Sequence, residues 1–314
     1  MISYLEVLNK HRVGVLAGGP SSERDISLKS GEAVSKALVN VGLDHVVFLD
    51  VNEEDFEDII KESKIDLAFI ALHGRFGEDG TVQRSLEEMK VPYTGSGPES
   101  SALALDKLLS RDHFIDNGLK VPEHMVVHHG ADLSVMDIRF PCVVKPRFEG
   151  SSIGLSIVQA ESGIYSAVDK AFAFGEEVII ERFVSGREIT VGILAGKALP
   201  VVEIIPHEGV YDFTAKYEAD TTKYVVPAEL DEKDYLLAQE IGLKAHNALG
   251  CRGFSRVDMR LSDEEQIYVL EVNTIPGLTE RSLLPMAAKA AGLDFPQLCV
   301  KMLYGAVHEN GELW

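Results

Sequence analysis

Cysteine, basic residues and long apolar runs are all scarce in this sequence. Only three cysteines occur in 314 residues, and Cys142, Cys251 and Cys299 show neither metal-binding spacing nor a disulfide framework. We therefore expect a reducing compartment, the cytoplasm. Lys and Arg number 30 against 50 Asp and Glu, a net charge of -20, which argues against nucleic acid as the main partner. No apolar run approaches the length of a membrane span, and the first residues, MISYLEVLNKHR, lack the apolar core of a signal peptide.

The remaining composition is that of a globular protein with two or three domains, with 46% hydrophobic and 25% charged residues. The first third alternates predicted strands (VGVLAG, HVVFLDV, DLAFIALHG) with helical patterns around residues 30–41 and 53–61. This order predicts a parallel α/β sheet with ligand-binding loops at the carboxyl ends of its strands. The first loop lacks G-x-G-x-x-G, so a dinucleotide site is not supported. The segment YTGSGPESSALALDK then predicts a domain boundary followed by a helix from about residue 99 to residue 117.

Glu23 lies in the first strand-to-helix turn, within AGGPSSERDISLKSGEAV. One interpretation is local: Ser21 or Ser22 caps the helix, and Asp25 completes a capping box. The other is that Glu23 receives a cationic ligand. The turn alone does not decide between them.

A metal site is predicted from two later strands, SRVDMRL and IYVLEVN, joined by the turn SDEEQ. Because side chains alternate along a strand, Arg256 and Asp258 share one face, as do Glu271 and Asn273. Pairing the strands brings Asp258, Glu271 and Asn273 together, and oxygen ligands without His or Cys suit Mg²⁺ that also binds phosphate oxygens. The alternative is a solvated sheet face, but both polar residues of VLEVN lie in an apolar strand.

A phosphate site is suggested by VVKPRFEGSSIG, in which Lys145 ends a strand and a Gly/Ser loop follows. Backbone N–H groups of such a loop can hold phosphate while the lysine supplies charge. The later segment VIIERFVSGRE has the form of a strand, a hinge and a new strand. Its backbone at residues 182–184 can contact an adenine edge, with Glu181 or Glu188 on the amino group or ribose, or the segment is an ordinary linker.

Taken together, these motifs resemble the ATP-grasp superfamily and, within it, the D-alanine–D-alanine ligase family. The matching motifs are GGPSSERDISLKSG, ALHGRFGEDGTVQ, YTGSGPESSALALDK, VVKPRFEGSSIG, YDFTAKY and LEVNTIPGLTERSLLP. They occur in the family's order and cover nearly the whole chain. The resemblance implies ATP-dependent joining of two D-alanines through a D-alanyl phosphate, for peptidoglycan synthesis.

The resemblance also implies roles for individual residues. Glu23 would bind the ammonium of the first D-alanine, and Ser151 and Tyr217 would bond with it and hold the lid closed. The ATP-binding residues would be Lys107, Lys145, Ser151, Glu181, Arg182, Phe183, Val184, Glu188 and Lys216. Two Mg²⁺ ions, or Mn²⁺, would be held by Asp258, Glu271 and Asn273. Arg256 and the N–H of Gly277 would form the oxyanion site, His73 would lie near the first substrate, and Ser282 with Leu283 would bind the second carboxylate.

The implied architecture is an ATP-grasp fold of three domains: a parallel α/β domain at 1–97, then two α+β domains at 98–183 and 184–314 that enclose the ATP site. A lid loop is expected at about 207–223, and the partners are D-alanine, ATP and a second copy of the chain in a homodimer. Two alternatives stay open: a ligase that makes D-alanyl-D-lactate or D-alanyl-D-serine, and a non-catalytic nucleotide-binding protein. Tyr217 argues against the lactate type, where the resemblance leads us to expect Phe.

Overall fold

Three separate β-sheets organise the chain in the computed structural model, which describes residues 2–206 and 222–308. The first sheet is parallel, with strand order β2-β1-β3, and confirms the predicted α/β arrangement. Its elements are α1 (Ile2–Leu8), β1 (Val13–Gly18), α2 (Arg24–Asn40), β2 (Val46–Val51), α3 (Phe56–Ser63), β3 (Leu67–Ile70) and α4 (Thr81–Glu88).

Helix α2 begins six residues earlier than the pattern around residues 30–41 predicts. Its buried face is made partly of small or polar residues, including Ser27, Ser30 and Gly31, so hydropathy does not reveal the first turns. A Cβ on Gly31 would lie 2.5 Å from that of Ala17, so glycine lets the helix approach β1. Helix α3 in turn begins three residues later than predicted, at Phe56.

The helix predicted for 99–117 is wrong as a single element. The chain forms α5 (Pro98–Leu105) and α6 (Lys107–Asp116), which meet at Asp106. The Asp106 carboxylate accepts the N–H groups of Leu108 and Leu109, as an N-cap does. Asp106 therefore ends one helix and begins the next, and it places Lys107 at the first position of α6.

The second sheet is antiparallel, with strand order β4-β7-β5-β6, and packs against one helix. Its elements are β4 (His124–His128), β5 (Cys142–Pro146), β6 (Ser156–Val158), α7 (Ile164–Phe172) and β7 (Glu177–Arg182), with short 3-10 turns at Leu133–Val135 and Glu161–Gly163. The Gly/Ser loop connects β5 to β6, so it rises from one end of this sheet.

The third sheet has the order β11-β10-β8-β12-β13, with β9 on β8. Its elements are β8 (Arg187–Leu194), β9 (Lys197–Ala198), β10 (Val202–Ile205), β11 (Lys223–Val225), α8 (Glu232–Ala248), β12 (Phe254–Leu261) and β13 (Ile267–Asn273). Two helices follow, α9 (Leu283–Ala290) and α10 (Phe295–Val307). Helix α10 packs on the first sheet, in one core with Leu8, Val15 and Leu38.

No helix in the two described ranges is long and apolar enough to cross a membrane. The predicted domain limits at 97 and 183 fall between sheets, and they stay predictions.

Candidate active site

A cleft between the second and third sheets gathers many of the predicted residues. It encloses about 930 Å³, including space open to solvent, which suits a small-molecule ligand. Its lining includes the following predicted residues: Lys107, Lys145, Glu181, Arg182, Phe183, Val184, Glu188, Asp258 and Glu271. The structure therefore brings most of the predicted phosphate, adenosine and metal residues to one cleft, although Ser151 and Asn273 are not part of its lining.

The predicted metal residues lie on one face of the β12–β13 ladder. Asp258 pairs in register with Glu271, and Arg256 pairs with Asn273. The register shifts after Asp258, because Leu270 has no partner on β12. This β-bulge lets Leu270 and Glu271 both face the cleft, a detail that regular alternation does not predict.

Asp258 is held by three neighbours. Arg256 donates two hydrogen bonds to it at 2.8 and 2.7 Å, Thr190 Oγ1 donates at 2.7 Å, and Asn273 Nδ2 donates at 3.0 Å. The predicted oxyanion residue and the predicted metal ligand are thus paired with each other. Thr190, buried on β8, was missed by sequence reasoning because a lone threonine in a strand has no distinguishing pattern.

Two carboxylates and one amide oxygen form a donor set for a hard cation. The described residues contain no cluster of three or more His, Cys, Asp and Glu, so protein ligands alone do not complete a cage. Mg²⁺ is commonly held by one or two carboxylates together with substrate phosphates. Asp258, Glu271 and Asn273 therefore fit Mg²⁺ that arrives with a nucleotide.

The two predicted phosphate lysines are buried at the cleft wall. Lys145 Nζ donates to Glu181 Oε1 at 2.9 Å, and Lys107 Nζ donates to the carbonyl of Glu149 in the Gly/Ser loop. Burial lowers the pKa of Lys107, because the charged form loses water contacts. The same burial would make each lysine a strong partner for an anionic ligand.

The predicted adenosine residues follow β7 into the hinge. Val184 is buried, Arg182 is exposed, and the Arg260 guanidinium lies 5.4 Å from the centre of the Phe183 ring. Arg260 also donates to Glu188 at 3.1 Å and to the carbonyls of Val184 and Gly186. Sequence reasoning missed Arg260, although alternation along β12 places it on the same face as Asp258.

Glu23 lies near the Gly/Ser loop and is buried. Ser151 Oγ donates to its carboxylate, so the predicted Ser151–Glu23 contact is present. Glu23 is the N-cap residue of α2, but its side chain makes no capping hydrogen bond. The predicted capping box is therefore wrong: Ser21 Oγ instead accepts the Glu23 N–H and donates to the His73 carbonyl.

His73 connects the first sheet to the segment after β13. Its Nδ1 donates to the Ile275 carbonyl at 3.0 Å, and its Nε2 lies 2.9 Å from Ser30 Oγ. Burial opposes protonation of His73. The carboxylate of Glu78, 3.5 Å away, and then the charge of Glu23 favour protonation more strongly, so the pKa of His73 is raised. Nothing in the sequence points to Glu78 except its place in HGRFGEDG.

The remaining predicted residues lie around the start of α9. Ser282 is its N-cap residue, and Ser282 Oγ accepts the N–H of Thr279 at 3.1 Å. Leu283 is buried in the core, so its side chain does not face solvent. Gly277 lies beside Ser282, since a Cβ on it would be 3.1 Å from Ser282 Oγ. Lys216, Tyr217 and most of the predicted lid fall outside the described residues.

Two family models match most of the chain. The family model described as "D-ala D-ala ligase C-terminus" matches residues 116–304, and "D-ala D-ala ligase N-terminus" matches residues 49–96. The D-alanine–D-alanine ligase of Trichlorobacter lovleyi is 46% identical over 97% of this chain and 98% of its own length.

Two solved structures show the same fold. A D-alanine–D-alanine ligase from Bacillus anthracis complexed with ATP is 33% identical, with a TM-score of 0.80 over 96% of this chain and all of that one. The VanG D-Ala:D-Ser ligase of Enterococcus faecalis is 29% identical, with a TM-score of 0.77 over 93% of this chain and 98% of that one. The matches extend over both the sheets and the cleft residues, and the chain belongs to the D-alanine–D-alanine ligase family.

Proposed function

We infer that this chain joins two D-alanines into D-alanyl-D-alanine at the expense of ATP, for peptidoglycan synthesis. The observation that carries this proposal is the single cleft in which buried lysines, a hinge with acidic residues and a carboxylate pair face one another. The relatives' names and the ATP complex of the Bacillus anthracis enzyme support it.

The nucleotide would lie along this cleft. The hinge at residues 181–184 would contact adenine, and Glu188 would contact the ribose. Lys107 and Lys145 would neutralise phosphate oxygens, together with Lys216. Asp258, Glu271 and Asn273 would hold two Mg²⁺ ions, or Mn²⁺, which supply positive charge to the phosphates when bound.

The chemistry begins with a carboxylate, whose carbon is a poor electrophile. An oxygen of the first D-alanine carboxylate attacks the γ-phosphorus, the bond to the β-phosphate oxygen breaks, and ADP leaves. The product is an acyl phosphate. Glu23 would fix the ammonium of this D-alanine, because a buried carboxylate pairs well with a charged amine.

The second D-alanine then attacks with its neutral amine. A C–N bond forms at the acyl carbon, the C–O bond to phosphate breaks, and inorganic phosphate leaves with the amine giving up a proton. Arg256 and the Gly277 N–H would stabilise the tetrahedral oxyanion, and loss of one such donor typically costs about 3–4 kcal/mol. Arg256 pairs with Asp258 at 2.7 Å, so its guanidinium is already held at the cleft.

Water must be excluded, because it would hydrolyse the acyl phosphate. The Gly/Ser loop would form one cover, tied by Ser151 to Glu23. The segment 207–223 would form the second, with Tyr217 bonding to this pair. His73 would lie beside the first substrate, and Ser282 with the backbone at Leu283 would receive the second carboxylate.

Other acceptors define the alternative function. Similarity to a D-Ala:D-Ser ligase, at 29% identity, keeps D-serine as a candidate acceptor, whereas 46% identity to a D-alanine–D-alanine ligase favours D-alanine. The test is mass analysis of products after incubation with ATP, Mg²⁺ and D-alanine, alone and with D-serine or D-lactate. D-alanyl-D-alanine with matching ADP release is expected, and ADP release without any ligated product would contradict the proposal.

We also propose a cytoplasmic setting, which is supported by three free cysteines, all of them buried. The homodimer and the three-domain division stay predictions.

A further inference from the structure

Arg111 lies one helical turn beyond Lys107, on the same face of α6. It is the largest fully buried side chain in the described ranges, with no exposed area. Burial lowers the pKa of Arg111 to about 10, so the guanidinium is still protonated at neutral pH. A charge in such a place needs a partner, because an isolated buried ion is very unfavourable.

The partner of Arg111 is Glu181, the acid at the adenine end of the cleft. Arg111 Nη2 donates to Glu181 Oε2, and Lys145 donates to Oε1 at 2.9 Å. Glu181 is only 4% exposed. One buried carboxylate is therefore flanked by two buried cations, and Glu271 adds a second negative charge near Arg111.

An ordinary structural ion pair does not explain this arrangement. The Nε and Nη1 groups of Arg111 are buried without a hydrogen-bond partner in the described part of the chain. A buried donor without a hydrogen-bond partner destabilises the folded protein. A shorter or apolar residue would avoid that cost if packing were the only requirement at position 111.

Lys145 cannot form an equally strong ion pair with Glu181 and with a phosphate group at the same time. Of these two cations, Lys145 lines the cleft and Arg111 does not. When Lys145 turns toward phosphate, Glu181 would lose its only counter-ion if Arg111 were absent. A buried carboxylate without a counter-ion takes up a proton, or it retains Lys145 as its hydrogen-bonded counter-ion and so keeps this lysine away from the phosphates.

We propose that Arg111 is a positioning residue: it is the permanent counter-ion of Glu181, which frees Lys145 for the phosphates and keeps Glu181 ionised to accept the amino group of adenine. This inference rests on the proposed function, because it assumes that ATP binds in the cleft. It adds a residue to which neither the motifs nor the relatives' names point.

The test compares four variants of the full chain: Arg111→Met, Arg111→Lys, Glu181→Gln, and Arg111→Met combined with Glu181→Gln. The matched control is Arg187→Met. Arg187 makes two hydrogen bonds of 2.6 Å to Glu203, on the sheet face opposite to that of Glu188. The readouts are KM for ATP, KM for D-alanine, and the preference for ATP over ITP, whose base has a carbonyl in place of the amino group.

Arg111→Met is expected to raise the KM for ATP at least tenfold and to reduce the preference for ATP over ITP, with the KM for D-alanine within about twofold. Arg111→Lys should restore most of that preference. Arg187→Met should leave it unchanged. An unchanged ATP preference in Arg111→Met, or an equal loss in Arg187→Met, would overturn the inference.

The double variant keeps the test informative if Arg111→Met folds poorly, because removing both members of a buried pair is far less harmful than removing one. If Arg111 acts through Glu181, adding Arg111→Met to Glu181→Gln should not raise the KM for ATP further. A further multiplicative rise would show independent roles and refute the proposal. Wild-type protein that binds no ATP by calorimetry would instead refute the proposed function, whichever result Arg111 gives.

Discussion

A single added methyl group at Gly150 should separate the substrate-binding role of Glu23 from its place in the fold. A Cβ on Gly150 would lie 2.8 Å from Glu23 Oε2 and 3.4 Å from its Cδ. The neighbouring atom is the end of a side chain, so the carboxylate can move. To restore an ordinary contact of 3.4 Å it must shift by about 0.6 Å, away from the position it shares with Ser151.

The expected cost follows from that displacement. A misplacement of about 1 Å can cost about 100-fold in rate, so a shift of about half that size should cost roughly tenfold. We therefore expect Gly150→Ala to raise the KM for the first D-alanine about tenfold while the KM for ATP changes little. The free energy of unfolding should change by less than about 1 kcal/mol, since Glu23 makes no capping bond that would be lost.

The assay is steady-state ADP release with D-alanine or ATP varied, together with urea unfolding. Gly175→Ala is the matched control, because nothing lies within 4 Å of a Cβ at that glycine. Equal KM values for D-alanine in both variants would refute the reasoning. A large loss of stability confined to Gly150→Ala would show that the contact serves folding instead.

Four further outcomes are expected. Asp258→Asn should abolish ligation and the response to Mg²⁺ or Mn²⁺, measured by ADP release with and without chelator; retained turnover would contradict the metal assignment. Glu23→Gln should raise the KM for D-alanine about 10- to 100-fold, since a hydrogen bond to a charged group is worth about 1.5–3 kcal/mol. Unchanged kinetics would show that Glu23 serves only the turn before α2 and does not bind substrate. Burial lowers the pKa of His246 to about 4, so only the unfolded chain gains a proton as pH falls from about 6.5 to 4. The free energy of unfolding should fall there by about 1.4 kcal/mol per pH unit. The free energy of unfolding of His246→Gln, measured with urea, should lack this pH dependence, and equal pH slopes in both proteins would contradict the prediction. Tyr217→Phe should gain depsipeptide synthesis at lower pH, measured by mass as the dipeptide-to-depsipeptide ratio with D-alanine and D-lactate both present; identical ratios for this variant and the wild type at every pH would contradict a role of Tyr217 in acceptor choice.

The placement of the three predicted metal residues follows from one local rule. Alternation along β12 and β13 places Asp258, Glu271 and Asn273 on one face, and the ladder has this register. The bulge at Leu270 was not predictable, since it depends on how two strands match in length. Regular periodicity describes a strand and does not describe its mismatch with a neighbour.

Contacts between distant segments account for most of what sequence reasoning missed. Arg111 and Glu181 are 70 residues apart, and nothing in a helix pattern distinguishes a buried arginine from an exposed one. The break at Asp106 was missed because residues on both sides favour a helix, while the carboxylate of Asp106 is also held by Arg147 from the Gly/Ser loop at 2.8 Å. Glu23 and Ser151 were joined only by resemblance, because local motifs do not show which loops meet.

The place of the last helix has a consequence for how the protein is made. Helix α10 shares a core with α1, β1 and α2, and it is the last described element of the chain. A ribosome releases the first sheet long before it releases α10, so the nascent first sheet exposes the apolar surface that Leu298, Met302 and Leu303 later cover. The fold of the opening hundred residues is thus completed only after helix α10 has been made.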